Sequence, residues 1–174
     1  MIESDLEPQL ADFDRAIAGS ARPDECWKAL QDLTGAVAGF KLFTVMTVDL
    51  TNEVARRAYS SHPADYPISG TKPIRYDSWF EIVHKQHRLF VANTIAEIEK
   101  VFPDHEKIWS LGCGSVVNLP VIIGGQLAAT INMLHEEHYY NAARVDLIEK
   151  HLAIPAKLCY ALAAQFDTRT GKPD

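Results

Sequence analysis

The feature that most constrains the fold is the segment from Ser115 to His135, in which two apolar stretches meet at two consecutive glycines. Both stretches are rich in Val, Ile, Leu and Thr, which favour strands, and Pro120 interrupts the first. Gly124 and Gly125 can adopt the positive φ angles that a tight turn between two strands requires. We therefore predict a β-hairpin with a two-glycine turn.

The length and composition indicate one ordinary globular domain. The chain has 174 residues, of which 47% are hydrophobic and 23% charged. No apolar run approaches the roughly 18 residues that a membrane span needs, and residues 1–5 lack the basic start of a signal peptide. We therefore expect a cytoplasmic protein without a membrane partner.

The cysteines and the charge argue against a disulfide-stabilised protein, a zinc-binding protein and a nucleic-acid-binding protein. Cys26, Cys113 and Cys159 are odd in number and widely spaced, which fits neither a disulfide framework nor a paired CxxC zinc site. The net charge is -6 and the basic residues are scattered, so the basic surface typical of nucleic-acid binding is missing. We expect free thiols and no nucleic-acid partner.

Helical periodicity predicts a helix pair at the start of the chain and one long helix at its end. The first helix has an apolar stripe made of Leu6, Leu10, Phe13 and Ile17. The second begins near Pro23 and ends near Gly39. The last runs from about 142 to 165 behind the capping residue Asn141, and Pro155 is expected to kink or interrupt it.

The intervening residues predict strands and short helices. Segments 41–50 and 53–61 form a hairpin, and Arg56 and Arg57 suggest that its second strand is exposed or at an edge. Residues 62–76 contain three prolines without periodicity and are predicted to form a loop. A helix capped at Ser78, a brief strand over 89–93, and two short helices, the first capped at Thr94, complete the series before the two-glycine hairpin.

The segment NLPVIIGGQLAATINML, residues 118–134, resembles the signature hairpin of GAF domains, and the element order is similar to that family over 23–165. The resemblance implies an α/β (α+β) fold with a twisted antiparallel sheet of five to six strands. Terminal helices would cover one face, and short helices and loops would close a pocket on the other. A PAS domain is the alternative, although it usually lacks a long helix before its first strand. The implied organisation is an N-terminal helix over 1–22 that contacts a second copy, a GAF-like domain over 23–166, and a polar tail over 167–174.

The resemblance places a set of aromatic, polar and thiol-bearing residues around that pocket. An apolar ligand would contact the aromatic rings, and a buried amide needs hydrogen-bond partners that a ligand can supply. The alternative is that the aromatic residues are core and that both amides bond to neighbouring backbone. The predicted ligand-binding residues are Thr44, Met46, Tyr76, Trp79, Phe80, Trp109, Cys113, Asn118 and Asn132.

No cofactor or metal site is predicted. Two histidine pairs, His84 with His87 and His135 with His138, have a spacing of three rather than the HExxH spacing. They are interpreted as helix-end and rim residues. The motifs of GAF domains that bind bilins or cyclic nucleotides are absent or incomplete in this chain.

Enzymatic activity has one weak candidate. Cys113 lies between two glycines, near the position of a cysteine in GAF enzymes that reduce free methionine sulfoxide. Those enzymes need a second thiol on the adjacent pocket loop, and residues 62–98 contain no cysteine. Neither a GxSxG motif nor a P-loop is present.

The function predicted from the resemblance is a sensory or regulatory domain that binds an unidentified small molecule and signals through a protein partner. GAF domains commonly form homodimers through their first and last helices, so the N-terminal stripe is predicted to face a second copy. The matching residues of the last helix are Leu152, Cys159, Leu162 and Phe166. Two alternatives remain: a methionine sulfoxide reductase that uses Cys113, and a dimerisation or interaction module that binds no ligand.

Overall fold

The computed structural model describes residues 6–170. Two helices precede the first strand, and one long helix follows the last. In chain order the elements are α1 (Glu7–Gly19), α2 (Pro23–Val37), β1 (Leu42–Asp49), β2 (Val54–Ser60), β3 (Thr71–Pro73), α3 (Ser78–Phe80), a π-helical turn (Glu81–Lys85), β4 (Phe90–Ala92), α4 (Ile95–Glu99), α5 (His105–Ser110), β5 (Ser115–Ile123), β6 (Gln126–His135) and α6 (Ala142–Thr170).

All six strands form one antiparallel sheet in the order β3-β2-β1-β6-β5-β4. The predicted hairpin is confirmed, because β5 and β6 pair from Ser115 opposite His135 to Ile123 opposite Gln126. Its turn residues Gly124 and Gly125 have φ values of 59° and 76°, which residues with a side chain rarely adopt. The fold class is the predicted α+β class with an antiparallel sheet.

One face of the sheet carries the terminal helices. Phe43 and Val45 of β1 point to this face, where they pack against residues of α1, α2 and α6 such as Trp27 and Leu152. Burying these large side chains supplies about 1.5–3 kcal/mol each, so this layer is the main core.

The opposite face is covered by the middle helices. Here Leu42 of β1 and Leu134 of β6 join Val83, Ile98 and Ile108 in a second buried cluster. Residues alternate between the two clusters along β1, as expected for a central strand that is covered on both faces. The prediction of terminal helices on one face and short helices on the other is confirmed.

The segment 62–76 is not entirely a loop. Its residues Thr71–Pro73 form β3, which pairs with β2, so β2 is not the edge of the sheet as expected. Three residues are too few for a recognisable period-2 pattern, and Pro73 is typical of an edge strand. The cap of α3 also differs from the prediction: Asp77 rather than Ser78 accepts the hydrogen bond from the backbone N–H of Phe80, at 3.1 Å.

Two other predicted caps are confirmed. The hydroxyl of Thr94 accepts from the N–H of Glu97 at 3.3 Å, and the carboxylate of Glu97 accepts from the N–H of Thr94 at 3.2 Å. The side chain of Asn141 accepts from the N–H of Arg144 at 3.0 Å. Pro155 does not interrupt α6, which continues to Thr170, and residues 171–174 of the predicted polar tail lie outside the described part of the chain.

The N-terminal apolar stripe faces the chain's own core rather than solvent. Leu6 and Phe13 are 1% and 8% exposed, and Ile17 packs against the same cluster, so Leu10 is the exposed member of the stripe. Leu152 and Cys159 of α6 are also fully buried. The two predicted interface stripes are therefore largely used inside the monomer. Between residues 6 and 170, no helix has both the length and the apolar character that crossing a bilayer demands.

Candidate functional site

A cavity of ≈ 300 Å³ lies between the sheet and the middle helices. Its floor is formed by β1, β5 and β6, and one wall by α3 and the segment 101–104. Aliphatic side chains dominate the floor, and five aromatic rings line the cavity: Tyr66, Trp79, Phe80, His84 and Phe102. An apolar cavity with a few polar groups is the usual form of a small-molecule site.

A chain of side-chain hydrogen bonds crosses the floor of the cavity. The indole N–H of Trp79 donates to Oδ1 of Asn118 at 2.9 Å. Nδ2 of Asn118 donates to Oδ1 of Asn132 at 2.6 Å, and Nδ2 of Asn132 donates to the hydroxyl of Thr44 at 3.2 Å. Asn132 is directly opposite both Asn118 and Thr44 in the sheet, so the strand register itself brings these groups together. We call these four residues the amide chain.

Six of the nine residues predicted to bind a ligand line this cavity. They are Thr44, Met46, Trp79, Phe80, Asn118 and Asn132. The alternative, in which both asparagines bond to neighbouring backbone, does not describe their contacts, since the amide chain joins side chains. Whether these six residues bind a ligand stays a prediction.

Tyr76, Trp109 and Cys113 are not part of the cavity wall. Tyr76 is 68% exposed. The centre of its ring lies 4.7 Å from that of Phe80, and its hydroxyl donates to Glu53 at the surface. Trp109 is 55% exposed, since its neighbour Ile108 takes the inward position on α5. Placing these two residues in the wall from their aromatic character alone was wrong.

Cys113 is completely buried in the cluster behind the cavity. Its thiol lies 3.8 Å from the carbonyl oxygen of Leu111, and its backbone N–H donates to Ile108 at 3.2 Å. Burial raises the pKa of the Cys113 thiol to about 11, and the charge of Lys41 offsets only part of this effect. The thiol is therefore protonated at neutral pH, and the reactive form is the thiolate.

Arg57 lines the cavity, contrary to the expectation that it marks an exposed or edge strand. The pairing of β1 with β2 shifts register between Val45 and Met46, which pair with Tyr59 and Arg57 and leave Ala58 without a partner. This β-bulge puts Ala58 and Tyr59 on the face covered by the terminal helices and turns Arg57 to the cavity side. Arg57 is consequently only 7% exposed.

The cavity has a polar end beside Arg57. The guanidinium carbon of Arg57 lies 4.9 Å from the centre of the Tyr66 ring. The hydroxyl of Tyr66 and the ammonium of Lys72 each donate to Oδ2 of Asp104 at 3.1 Å. Burial and the Asp104 carboxylate raise the pKa of Tyr66, so its hydroxyl keeps its proton and remains a donor.

Opposing effects act on the carboxyl group of Asp104. Burial favours the neutral form, but the charge and hydrogen bond of Lys72, assisted by the Tyr66 hydroxyl, hold the pKa of Asp104 below its usual value. Burial lowers the pKa of Arg57, although Tyr66 and Asp104 partly offset this effect. Arginine nevertheless stays charged in proteins, so this end of the cavity contains a buried cation.

Three polar atoms of the cavity-lining residues are buried without a hydrogen-bond partner. They are Nε of Arg57, Oδ1 of Asp104 and Nδ1 of His84. Buried polar atoms are nearly always paired, so unpaired ones among the lining residues make these side chains candidates for ligand contact. The sequence analysis did not include these three residues among the predicted ligand-binding residues. The pair Arg56-Arg57 in a predicted strand was a signal for one of them.

His84 stacks on Phe80 with ring centres 4.3 Å apart, and burial, together with the charges of His87 and Lys85, lowers its pKa. His135 stacks on Tyr139 at the rim of the sheet. Residues 6–170 bring together no group of three or more potential metal ligands, so neither histidine pair has a third ligand there.

No family model matches this sequence, and no curated protein sequence matches it either. Solved structures do. The chain is similar to the GAF domain of a phosphoenolpyruvate-protein phosphotransferase from Acinetobacter, with a TM-score of 0.70 and 11% identity over 97% of this chain and 99% of that one. It is also similar to the GAF domain of a two-component sensor histidine kinase from Bacillus halodurans, with a TM-score of 0.66 and 10% identity over 85% and 99%.

A third similar structure is the chromophore-binding domain of a bacteriophytochrome from R. palustris, with a TM-score of 0.66 and 8% identity over 96% of this chain and 62% of that one. Identities this low show shared architecture rather than shared chemistry. The sheet order, the two helix layers and these structural matches together lead to one conclusion: this chain has the GAF-domain fold.

Proposed function

We propose that the protein is a sensory or regulatory domain that binds a small molecule in the cavity and signals through a partner protein. The observation that carries the proposal is the cavity itself, which combines an apolar floor with unpaired buried polar atoms at one end. The similar domains of a sensor histidine kinase and of a phosphotransferase support a signalling role.

Trp79 is the best position at which to test ligand binding. Its ring lines the cavity and its N–H begins the amide chain, so Trp79→Ala removes both an apolar wall and a polar contact. A thermal-shift screen with a metabolite library should find stabilising compounds, because a ligand that binds only the native state raises its stability. Trp79→Ala should abolish the shift in a protein that still unfolds cooperatively.

Trp109→Ala is the matched control. It removes the same side chain from a position that is 55% exposed and outside the cavity, so the ligand-induced shift should persist. If metabolite-rich extracts and libraries give no stabilising compound with the unmodified protein, the proposal fails, and the ligand-free interaction module becomes the better description.

We further propose that the protein acts as a homodimer through its terminal helices. Ile154 and Leu158 are one turn apart on α6 and are 76% and 42% exposed, and Leu10 of α1 is 37% exposed. Exposed large apolar side chains on one helix face favour burial against another surface, and a second copy presents an identical one. Leu10 belongs to the stripe predicted from the sequence, whereas Ile154 and Leu158 differ from the predicted residues of α6, which the monomer largely buries itself.

Light scattering coupled to size exclusion tests the dimer. The unmodified protein should have twice its monomer mass of 19.4 kDa, and Ile154→Glu should shift it to the monomer mass. Glu149→Lys changes an exposed residue of the same helix away from the Ile154–Leu158 face and should leave the dimer intact. A monomer in the unmodified protein at all accessible concentrations would rule the dimer out.

The reductase alternative is not favoured by the thiols. Cys113 lies in the cluster on the cavity side of the sheet, whereas Cys26 and Cys159 lie in the core on the opposite side. A disulfide between Cys113 and either partner would have to cross the sheet, and disulfides join α-carbons less than about 7 Å apart. NADPH-coupled turnover of free methionine sulfoxide that disappears in Cys113→Ser would overturn this view.

A further inference from the structure

We infer that the cavity selects a small monocarboxylate with an apolar body, and that Arg57 binds the carboxylate. The inference rests on the proposed ligand-binding function. It adds that the ligand is an anion and that Arg57 is the residue that binds its charged group.

Arg57 is a buried cation that has no ion pair of its own among residues 6–170, although the Asp104 carboxylate acts on it from farther away. It is 93% buried, and within residues 6–170 it forms no ion pair with a carboxylate, since Asp104 pairs with Lys72 instead. Within that range its guanidinium donates one hydrogen bond to a protein acceptor, from Nη1 to the carbonyl of Pro67 at 3.0 Å, and Nε has no partner. An unpaired buried charge is costly, so an anion in the cavity would gain a strong interaction there.

The backbone around Arg57 holds the guanidinium in place. The loop after Pro67 returns to the strand through two hydrogen bonds of 2.8 Å, from the N–H of Arg57 to Gly70 and from the N–H of Ser69 to Arg57. Gly70 packs so closely that a Cβ at this position would be 2.8 Å from Nη1 of Arg57. A guanidinium that lines the cavity and is already held by the loop loses little entropy when a ligand binds.

The two carboxylates of the cavity already accept hydrogen bonds from the protein. Asp104 accepts from Lys72 and Tyr66, and Asp77 accepts from the N–H of Phe80 as a helix cap. The lining contains two carboxylates and three cations, which are Arg57, Lys72 and Arg75. Arg75 is exposed to solvent. The five charged groups sum to one positive charge, and among the three cations Arg57 is the buried one.

A single excess charge favours a monoanion. Arginine binds both carboxylate and phosphate with two hydrogen bonds, but a phosphate group carries more charge and more bound water into an apolar site. A volume of ≈ 300 Å³ is at the lower end of the range for ligand sites, which suits a small molecule with one acid group. The aromatic residues Trp79 and Phe80 would contact its apolar part.

Calorimetric titration with three matched probes tests the inference: 3-phenylpropionate, its neutral amide 3-phenylpropanamide, and the cationic 3-phenylpropylamine. The unmodified protein should bind the carboxylate at least about tenfold more tightly than the amide, which is the size of one charge-assisted hydrogen bond. The amine should bind more weakly than either. This comparison needs no variant and does not depend on how a substitution folds.

Variants then locate the selectivity. Arg57→Met should weaken carboxylate binding about tenfold or more and leave amide binding within about twofold, while Arg57→Lys should retain a preference for the anion. Arg56→Met is the matched control, because it removes the same charge from the adjacent, exposed position of the same strand. It should leave binding of all three probes unchanged.

The outcomes separate the two proposals. Amide binding that equals or exceeds carboxylate binding, or an unchanged carboxylate affinity in Arg57→Met, overturns the monocarboxylate inference while the ligand-binding function stands. Absence of binding by all three probes at millimolar concentration also overturns the monocarboxylate inference, while the metabolite screen decides the ligand-binding function.

Discussion

Nδ2 of Asn118 and Oδ1 of Asn132 lie 2.6 Å apart across β5 and β6, so two buried amides on the cavity floor satisfy each other. The pair is extended by Trp79 on one side and Thr44 on the other. Such a cross-strand pair specifies the register of the hairpin, because a slip of either strand by one residue would move its amide to the face that the terminal helices cover.

We expect the two asparagines to be energetically coupled. Asn118→Leu and Asn132→Leu should each lower the free energy of unfolding by about 1–3 kcal/mol, because each leaves a buried polar partner unpaired. The double variant should cost less than the sum of the singles by at least about 0.5 kcal/mol, since it removes both members. Urea unfolding of the four proteins measures the cycle, and additivity within about 0.3 kcal/mol would contradict the coupling.

The two-glycine hairpin and the helix layers were predictable because their signals are local. Gly124 and Gly125 determine a turn by their own backbone freedom, and the helix stripes follow from a period of 3.6. The amides of Asn118 and Asn132 were recognisable as polar residues on apolar strands. Their mutual pairing was not, because it depends on which residues the register of β5 and β6 places opposite each other.

The polar end of the cavity could not be predicted for a related reason. Regular alternation along β2 would put Arg57 and Tyr59 on the same face of the sheet, and only the bulge at Ala58 separates them. No single residue type encodes that bulge. Tyr76 and Trp109 were expected to line the cavity and lie outside it, because aromatic character does not reveal which side of a short element faces inward.

Replacing Gly39, which follows α2, is predicted to lower the free energy of unfolding. Its φ is 78°, and a Cβ at this position would collide with the hydroxyl of Tyr139, which donates to the carbonyl of Ala38 at 3.0 Å. Gly39→Ala should therefore destabilise the protein by about 1–3 kcal/mol.

Gly19→Ala is the control for Gly39. Gly19 lies in α1 with no heavy atom within 4 Å of the added Cβ, so alanine should be neutral or stabilising by up to about 1 kcal/mol. Thermal unfolding of both variants checks the sign of each effect. A Gly39→Ala variant as stable as the unmodified protein would show that Tyr139 moves away without cost.

The helix that carries Trp79 should depend on Asp77 and not on Ser78. Asp77→Ala removes the side chain that accepts from the N–H of Phe80, and loss of a cap costs about 0.5–2 kcal/mol. Ser78→Ala changes an exposed residue that has no capping role and should stay within about 0.5 kcal/mol. Urea unfolding compares the two, and the reverse order of effects would restore the cap predicted from the sequence.

Stability should fall in acid partly because of Asp104. Its pKa is lower in the folded protein than the value near 3.9 of an unfolded chain, so its ionised form stabilises the fold above that pH. This contribution is lost as the pH falls through the folded pKa. Asp104→Asn should thus be about 1 kcal/mol less stable at pH 7, since Lys72 loses its counter-ion, and the difference should shrink below about pH 4.

Urea unfolding at pH 7, 5, 4 and 3 measures this difference. Asp12→Asn serves as the control, because Asp12 pairs with Arg15 at the surface with a side chain that is 70% exposed, and exposed pairs contribute at most about 1 kcal/mol. A gap between the Asp104→Asn variant and the unmodified protein that stays constant from pH 7 to pH 3 would mean that the ionised carboxylate is not what stabilises the fold. The gap would then come from hydrogen bonds to Asp104, such as the one from Tyr66, that asparagine does not reproduce, and not from the charge.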